Sequence, residues 1–469
     1  MWVLFIAGER KQSKNREEMM EKTDVLVVGG SAAGIIAALT GKSSYPDKKF
    51  LLLRQEKLVM VPCGIPYIFG SLDSSEKNVI PDAVVTNAGI DLKIGEAIAL
   101  DIPNKVCQVS DGTEIGFEKL VLAVGSTPTV PKWLKGAELQ NVYTIPKSKE
   151  YIDGILEGLK DAKKIITIGG GFIGVEMSDE INKRGKDVTI IEILPHILGL
   201  VFDDEIAINV EDILKTRGVK VVSGVGVKEI LGKDGKVHGV LLSNGEQLEA
   251  DAVILSMGYR PNVAMAEKAG LKLNELGFID VDRYMRTDNK DIFAAGDCAA
   301  KRDFVVGKPS GVMLASIACA EARTAGMNLY KLSSVKSFSG TIAIFATALG
   351  DIAFGAAGLT ENQARKEGLD IITGSFSGVD SHPGTLPTAH KQTIKLIAAQ
   401  ESGVILGGEV IGGPSTGELI NLIGFAIQNR MTVNSMLTAQ VGTHPLLTGS
   451  PIFYPLIKAA EAVCCGMKH

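Results

Sequence analysis

The sequence predicts an α/β fold in which two doubly wound units are followed by a smaller α+β domain. A continuous apolar run, DVLVVGG at 24–30, turns on glycine into a helical pattern. Such runs are typical of strands buried in parallel sheets. The same order returns at 163–185 with KKIITIGGGFIGVEMSDEINKRG, which indicates duplicated architecture. From Phe338 onward, shorter strand patterns and a helical pattern at 415–431 predict the α+β domain.

The composition excludes several classes of protein. With 469 residues, 45% of them apolar and 22% charged, the chain is globular and too long for one core. The net charge is −5, and no basic stripe with interleaved aromatics is present, so nucleic-acid binding is not expected. No apolar run reaches the length of a membrane span.

The six cysteines form neither a metal-type CxxC pair nor a secreted disulfide framework. We therefore expect a reducing compartment, the cytoplasm, and no metal site. The start, MWVLFIAG, lacks a basic region and leads into ERKQSKNREE rather than a cleavage site. Residues 1–22 are interpreted as a disordered extension.

In the first unit, the strand at 24–30 is followed by a helix, SAAGIIAALTGK, and by a second strand, KKFLLLR. The loop GGSAAG keeps glycine at the outer positions, Gly29 and Gly34, but has Ser31 in the middle. The second strand ends on Arg54, so Glu56 would have to meet a ribose if any acid does. The pattern predicts a dinucleotide site.

In the second unit, GGGFIG at 169–174 fits G-x-G-x-x-G between a strand and a helix. Gly169 makes the tight turn, Gly171 lets a pyrophosphate approach, and Gly174 permits close helix–strand packing. Glu192 ends the next strand, where a carboxylate holds an adenosine ribose and repels a 2′-phosphate. NADH is therefore expected rather than NADPH.

Three further segments carry a resemblance: LVLAVGSTP at 120–128, SMGYRPN at 256–262 and IFAAGDCA at 292–299. They resemble the linking segments of FAD-dependent pyridine nucleotide–disulfide oxidoreductases, in the family's order, from Thr23 to about Leu447. The resemblance implies FAD at the first loop, NAD(P)H at the second, and a bond from Asp297 to the flavin ribityl chain. It also implies a helix starting near Ser310–Gly311 that points its positive end at the flavin.

The resemblance predicts these domains: an FAD domain at 23–148 and 275–332, an NAD(H) domain at 149–274, a dimerisation domain at 333–447 and a tail at 448–469. It predicts FAD contacts at Gly29, Ser31, Ala32, Ala33, Gly34, Arg54, Glu56, Pro62, Ala123, Gly125, Gly296, Asp297 and Gly311. It predicts NADH contacts at Gly169, Gly171, Phe172, Ile173, Gly174, Glu176, Glu192 and Gly258.

The stretch VPCGIPYIFG at 61–70 carries the candidate redox residue, Cys63. Gly64 and Pro66 suit a first helical turn, which would place Cys63 at a helix N-terminus that favours its thiolate. Two-cysteine members of the family need a partner five positions on, and Ile68 stands there. The segment CGIPY instead resembles the single-cysteine branch: coenzyme A-disulfide reductases, polysulfide or persulfide reductases, and NADH oxidases or peroxidases.

The predicted activity is therefore NADH oxidation with electrons leaving through FAD and Cys63 to coenzyme A disulfide or polysulfide. One alternative is an NADH oxidase that reduces O₂, with Cys63 as a sulfenic acid. Another is an electron-transfer reductase or redox sensor acting on a protein partner. Cys63 would be dispensable for electron flow in an electron-transfer reductase and in a redox sensor.

QVGTHPLLTGSP at 440–451 resembles the segment that supplies a histidine from the partner subunit of a homodimer. His444 is the candidate proton donor, or else an interface histidine. Gly449 stands where those enzymes carry an orienting glutamate, and neither this segment nor 380–390 holds the tyrosines of coenzyme A-disulfide reductases. His382 and His390 are weaker candidates, which we expect to be surface or loop residues, and we expect Cys298 to be packed. The pair Cys464–Cys465 is either an electron relay or part of an exposed tail.

Overall fold

The computed structural model describes residues 20–467. Up to residue 150 the strands are β1 (Glu21–Val28), β2 (Phe50–Arg54), β3 (Val59–Met60), β4 (Val79–Ile80), β5 (Asp91–Ile94), β6 (Ala97–Asp101), β7 (Val106–Val109), β8 (Glu114–Leu122), β9 (Ser126–Pro128) and β10 (Val142–Thr144). From there to residue 310 they are β11 (Lys164–Ile168), β12 (Asp187–Glu192), β13 (Lys220–Ser223), β14 (Val227–Lys233), β15 (Lys236–Leu242), β16 (Gln247–Glu249), β17 (Ala252–Leu255), β18 (Tyr259–Pro261), β19 (Ile292–Ala294), β20 (Lys301–Arg302) and β21 (Pro309–Ser310).

The remaining strands are β22 (Ile344–Leu349), β23 (Ile352–Gly358), β24 (Ile371–Val379), β25 (Lys391–Ala399) and β26 (Ile405–Gly412). The helices are α1 (Ala32–Ser44), α2 (Ala83–Thr86), α3 (Lys149–Gly158), α4 (Phe172–Asn182), α5 (Asp204–Thr216), α6 (Ala264–Lys268), α7 (Ala315–Asn328), α8 (Glu361–Lys366), α9 (Thr416–Gln428), α10 (Val433–Leu437) and α11 (Pro455–Gly466). None of these helices, all within residues 20–467, is long and apolar enough to cross a membrane.

The first unit is a seven-stranded sheet ordered β5-β2-β1-β8-β7-β6, with β19 paired to β8. The β1 residues Val25, Leu26 and Val27 are fully buried, because strands in the middle of a parallel sheet are covered on both faces. Helices α1 and α7 cross closely: a Cβ on Gly326 would lie 2.9 Å from the Ala37 carbonyl oxygen. Strand β1 begins at Glu21, so the predicted extension reaches too far; residues 1–19 lie outside the described part of the chain.

The second unit is the parallel sheet β10-β17-β11-β12-β13, with the antiparallel β14-β15-β16 beside it. Strand β10 lies before the domain limit predicted at residue 149, yet it pairs with β17 of the second unit. The antiparallel pair β9–β18 joins the two units. The predicted limits between the units remain a prediction, and this pairing favours an earlier one.

The C-terminal domain is the antiparallel sheet β22-β23-β26-β25-β24. Helices α9 and α11 pack on it, and the α11 residues Leu456, Ala459, Ala460 and Val463 belong to its core. The expectation of a separate tail from residue 448 is therefore wrong, because the apolar face of α11 completes this core. Cys464 and Cys465 lie in the same helix, where Cys464 contacts Asn434 and Cys465 is exposed.

Candidate active site at the central cavity

A cavity of about 960 Å³ lies where the two sheet units meet the C-terminal domain. Its walls include the first glycine loop at 31–33, the second glycine loop at 169–173 and the strand segment 344–346. Cys63 lies in the same wall. We call this space the central cavity. A single space therefore brings together both loops and the candidate thiol.

The first loop is held by contacts that only glycine allows. Gly29 has a φ of +114°, and a Cβ on Gly34 would lie 1.7 Å from the Gly29 carbonyl oxygen. This close approach lets α1 begin directly after the turn, with Ser31 as its N-cap. The first turn of α1, at Ala32 and Ala33, then faces the central cavity, as a phosphate site requires.

The second loop repeats this construction and adds an open middle position. Gly169 has a φ of +106°, and a Cβ on Gly174 would lie 1.9 Å from the Gly169 carbonyl oxygen. At Gly171 a Cβ would meet nothing within 4 Å. The position is open to the cavity, so a pyrophosphate can approach the backbone there.

Glu192 completes the second loop. Its Oε2 accepts a hydrogen bond from the Gly170 amide at 2.6 Å, and its Oε1 accepts one from the Leu194 amide at 2.8 Å. The carboxylate is buried and lines the cavity. Each carboxylate oxygen keeps a second lone pair, so Glu192 is oriented to accept hydrogen bonds from ribose hydroxyls.

The structure brings most of the predicted site residues together. Those that line the central cavity are Ser31, Ala32, Ala33, Pro62, Cys63, Ala123, Gly125, Gly169, Gly171, Phe172, Ile173, Glu176, Glu192, Gly258, Gly296 and Asp297. Gly29, Gly34 and Gly174 are outside the lining and hold the loops in shape through the close backbone contacts just described. Arg54, Glu56, Gly311 and His444 lie outside the lining.

Arg54 acts as a brace in the first unit. Its buried guanidinium donates from Nε to the Glu56 carbonyl oxygen and from Nη2 to Asp82 Oδ1 and the Lys57 carbonyl oxygen. Its stem packs under the loop: a Cβ on Gly30 would lie 2.5 Å from Arg54 Cδ. Arg54 therefore stands at the end of β2, the position that Glu192 has at the end of β12, and its role there is structural.

The expected helix start at Gly311 is wrong. Residues 309–310 form β21, which pairs with β20, and α7 begins at Ala315 with Leu314 as its N-cap. Gly311 lies in the exposed connection between them. The first turn of α7 nevertheless lines the cavity with residues 313–316, so its positive end faces the predicted flavin site.

Cys63 lies in a short 3₁₀ turn, Pro62–Gly64, followed by a second one, Pro66–Phe69. No α-helix begins there, so the expected helix dipole is missing. The thiol is exposed to the cavity, yet its pKa is raised, chiefly because the walls displace water and then because the Glu176 carboxylate faces it. The expectation that the local backbone favours the thiolate is therefore wrong.

Glu176 projects from α4 into the cavity and accepts a hydrogen bond from Thr347 Oγ1 at 2.9 Å. Burial raises the pKa of this carboxyl to about 7, and the Thr347 bond opposes the rise. Tyr67, in the second 3₁₀ turn, also lines the cavity, and burial raises the pKa of its phenol. Two groups that can carry a proton at neutral pH thus surround the Cys63 side of the cavity.

Sequence reasoning missed Lys147 and Phe345. The Lys147 ammonium donates to Asp297 Oδ2 at 2.8 Å, and Ser126 Oγ donates to the same oxygen at 2.7 Å. Phe345 stacks on Phe172 with ring centroids 5.2 Å apart. Lys147 precedes α3 without a motif around it, and Phe345 comes from the C-terminal domain, so no local signal marks either residue.

Among the described residues, Cys63 is the one thiol in the cavity wall. Cys107 and Cys298 are fully buried, and burial raises the pKa of Cys298 to about 11. Ile68, at the position of a second redox cysteine, is also buried. Packing of Cys298 is thus as expected.

The three candidate histidines of the C-terminal domain, His382, His390 and His444, lie away from the cavity wall. His444 is exposed, and its Nδ1 accepts a hydrogen bond from the Leu446 amide at 3.2 Å. His390 Nδ1 lies 3.0 Å from Asp380 Oδ2, and His382 Nδ1 lies 2.9 Å from the Thr448 carbonyl oxygen. The lining therefore receives no imidazole from the described residues of its own chain.

Two dinucleotide-type loops and one thiol in the wall of a single cavity are typical of a dinucleotide-dependent oxidoreductase. The comparisons agree: residues 23–322 match the pyridine nucleotide-disulphide oxidoreductase family, and residues 344–451 match the dimerisation domain of that family. The chain belongs to this family. It is an FAD-dependent NAD(P)H oxidoreductase.

Its relatives carry two kinds of name. The chain is 30% identical to the NAD(P)H sulfur oxidoreductase (CoA-dependent) of Pyrococcus abyssi, over 94% of this chain and 98% of the relative. It is 28% identical to the NADH oxidase of Methanocaldococcus jannaschii, over 93% and 97%. The NAD-dependent persulfide reductase of A. fulgidus has a similar structure, with a TM-score of 0.87, 30% identity, and coverage of 94% of this chain and 83% of that one.

Proposed function

We propose that this enzyme oxidises NADH and reduces a small disulfide or persulfide acceptor through Cys63, the reaction class of the sulfur reductases to which it is similar. The observation that carries the proposal is the position of Cys63. Its thiol is open to the cavity that both glycine loops share, with buried Ile68 where a disulfide partner would stand. The acceptor must therefore bond to Cys63 itself.

The cavity fits both cofactors. We propose that FAD is held by the first loop, Asp297 and the start of α7, and NADH by the second loop, Phe172 and Glu192. The observations that support the fit are the open Cβ position at Gly171 and the buried, oriented carboxylate of Glu192. FAD held by these residues would supply the two-electron chemistry, namely acceptance of a hydride from NADH and donation of electrons to sulfur.

The sulfur step is an exchange at Cys63. The Cys63 thiolate attacks one sulfur of the acceptor R–S–S–R′, forms Cys63–S–S–R and releases R′–S⁻. Two electrons and one proton then cleave the new S–S bond, release R–SH and restore the thiolate. A polysulfide follows the same balance, with R′–S⁻ replaced by the shortened polysulfide anion.

The proton has two proposed sources. Glu176 faces Cys63 and has a pKa of about 7, so it holds a proton for much of the time at neutral pH. His444 is proposed to act from a second copy of the chain. In its own chain it lies outside the cavity lining.

We propose a homodimer formed through the C-terminal domain. That domain matches the family's dimerisation domain. It also exposes a group of large apolar side chains around His444, with Leu446, Leu447, Ile452 and Phe453 each more than half exposed. Exposed apolar patches of this kind mark interaction surfaces. The six unpaired cysteines are consistent with the proposed cytoplasmic location.

A second candidate is an NADH oxidase, which the name of the Methanocaldococcus jannaschii relative supports. In that role Cys63 would cycle through a sulfenic acid, and the exposed thiol admits a small oxidant. The third candidate, reduction of a protein partner, has no specific observation in its favour.

The deciding experiment compares wild type with Cys63→Ser in anaerobic assays with NADH. Reduction of coenzyme A disulfide and of polysulfide is expected to fall at least about a hundredfold, because the thiolate that attacks the acceptor is missing. Cys319→Ser, a half-buried thiol outside the lining, is the matched control and should retain activity. Full sulfur reduction by Cys63→Ser would contradict the proposal. Fast reoxidation by O₂ alone, to water, would favour the oxidase.

A further inference from the structure

Two buried charged side chains lie behind the loop that carries Asp297. Lys301 in β20 and Glu321 in α7 have side chains that are 0% exposed, and neither residue lines the central cavity. Burying two charges costs desolvation energy, so an apolar pair of similar volume is often as stable as a buried ion pair. The fold alone therefore gives no reason for charged groups at these two positions.

Both side chains direct their hydrogen bonds to one residue, Gly296. The Lys301 ammonium donates to the Gly296 carbonyl oxygen at 2.7 Å, and Glu321 Oε2 accepts from the Gly296 amide at 2.8 Å. The two charged groups are farther from each other, with 3.5 Å between Lys301 Nζ and Glu321 Oε1. That oxygen has no hydrogen-bond partner among the residues that the structure describes. The pair therefore fixes both polar backbone groups of Gly296.

The Lys301 ammonium also binds the chain on the other side of Asp297. It donates to the Ala299 carbonyl oxygen at 2.9 Å. One buried cation thus holds the backbone both before and after Asp297, at residues 296 and 299. The Asp297 side chain is held separately from the cavity side, where Lys147 and Ser126 donate to its Oδ2.

Gly296 lies where a small displacement of the backbone would be felt. Its φ is +82°, and a Cβ on it would lie 2.9 Å from the Ala33 Cβ and 3.5 Å from the Ala318 Cβ. Ala33 is in the first turn of α1, and Ala318 is near the start of α7. Gly296 therefore lies between the two helix starts that line the proposed FAD site.

We propose that Lys301 and Glu321 are positioning residues for FAD, which fix the backbone at 296–299 so that Gly296 and Asp297 meet the cofactor in one arrangement. The inference deepens the proposed function, because it rests on the proposed FAD site at Asp297. A site binds tightly when its groups are already ordered before the ligand arrives. An apolar pair would fill the same space but would leave the Gly296 amide and carbonyl without these partners.

The test measures how long FAD stays bound to the full-chain holoenzyme, from the rise in free-flavin fluorescence after dilution. Lys301→Met/Glu321→Met replaces the pair by two apolar side chains. FAD release is expected to be at least about tenfold faster than from wild type, because the loop is no longer held in place. The melting temperature of each holoenzyme is measured in parallel.

A second double variant isolates one hydrogen bond. Lys301→Met/Glu321→Gln keeps an acceptor for the Gly296 amide and leaves no unpaired charge. It should release FAD more slowly than the double methionine variant, because the two proteins differ only in the group that faces this amide. It also keeps the test open if the double methionine variant folds poorly.

A matched control lies at the other end of β19. Asp291 precedes that strand, pairs with Lys105 and Lys119 at 2.6 Å each, and lies outside the cavity lining. Asp291→Asn weakens ion pairs of the same unit without touching the loop. Its melting temperature should fall, whereas its FAD release should keep the wild-type rate.

Release at the wild-type rate from both double variants would overturn the inference, and so would equal rates from the two. Equally fast release from Asp291→Asn would also overturn it, because the effect would then follow stability alone. A wrong FAD site would appear differently, as wild-type release from Asp297→Ala. The sulfur-reduction assay of Cys63→Ser tests the proposed function separately, since none of these variants changes Cys63.

Discussion

The two glycine loops differ in a revealing way. In both loops the first glycine has a positive φ, and the last glycine packs against the carbonyl oxygen of the first. A Cβ on Gly34 would lie 1.7 Å from the Gly29 oxygen, and a Cβ on Gly174 would lie 1.9 Å from the Gly169 oxygen. The middle loop position and the strand end have diverged: Ser31 corresponds to Gly171, and Arg54, which lies outside the cavity lining, corresponds to Glu192, which lies in it. Positions set by helix–strand packing are thus constant, whereas positions that meet a ligand vary with that ligand.

The largest expected effect tests the shared part. Gly34→Ala and Gly174→Ala each place a Cβ inside van der Waals reach of a backbone carbonyl, and each should destabilise its unit by at least about 3 kcal/mol. Thermal unfolding and bound FAD would be measured for both. Gly171→Ala, whose Cβ would meet nothing within 4 Å, is the matched control and should cost about 1 kcal/mol or less. Equal losses at all three positions would refute the distinction.

A change at the second strand end tests the divergent part. Glu192→Ala removes the carboxylate predicted to hold the ribose, so the KM for NADH should rise about tenfold and the preference over NADPH should narrow. Steady-state kinetics with both nucleotides would measure this. FAD content should stay unchanged. An unaltered NADH-to-NADPH ratio would remove Glu192 from nucleotide selection.

The corresponding change in the first unit should act on stability instead. Arg54→Met removes the bonds to Asp82 and to two backbone carbonyls. It should lower the free energy of unfolding by about 1–3 kcal/mol, since three hydrogen bonds from a buried guanidinium to part-buried acceptors are lost. Denaturant unfolding would measure the loss, with Lys57→Met as an exposed neighbouring control. A change in NADH affinity without loss of stability would show that Arg54 is not a brace.

The smallest effect concerns two cavity carboxyls with opposite shifts. The pKa of Glu176 is raised from 4.5 to about 7, chiefly by burial, so the stability linked to its protonated form is present below pH 4.5 and lost as pH rises through 7. Asp297, with a lowered pKa, contributes stability above its unfolded value near 3.8 and loses it only in acid. Of these two carboxyls, only Glu176 should therefore make stability fall as the pH rises from 5 to 8; Glu321 and Glu409, whose pKa values burial raises to about 7 and about 8, add falls of their own.

Glu176→Gln should remove the part of this fall that Glu176 contributes. Its melting temperature should approach or exceed that of wild type as the pH rises from 5 to 8, because no carboxylate forms beside Cys63. The pH midpoint for alkylation of Cys63 by iodoacetamide should also move down slightly, since a charge that disfavours the thiolate is lost. A melting-temperature difference that stays constant with pH would show that Glu176 does not titrate in this range.

Much of the site follows from local pattern. The sequence predicts the glycines of both loops because a tight strand–turn–helix admits no side chain at Gly29, Gly34, Gly169 and Gly174. It predicts Cys63 because the segment CGIPY resembles a known family motif. The start of α7 was misplaced because a short strand at 309–310 pairs with 301–302, a contact that leaves no periodic signal. The attachment of α11 was missed because its apolar face resembles that of any short surface helix until the sheet it covers is known.

The two glycine loops, the order of the domains, the candidate redox residue Cys63 without a CxxxxC partner, and the acid at Glu192 could all be predicted from the sequence. These depend on spacing within one strand–turn–helix, which the chain carries locally. It took the fold to show that Lys147, Asp297 and Glu176 line the same cavity as the thiol, and that Phe345 stacks on Phe172. Those residues come from separate elements of the fold. The effect of each charge on Cys63 depends on the distance between the two groups in space, which the order of residues along the chain does not give.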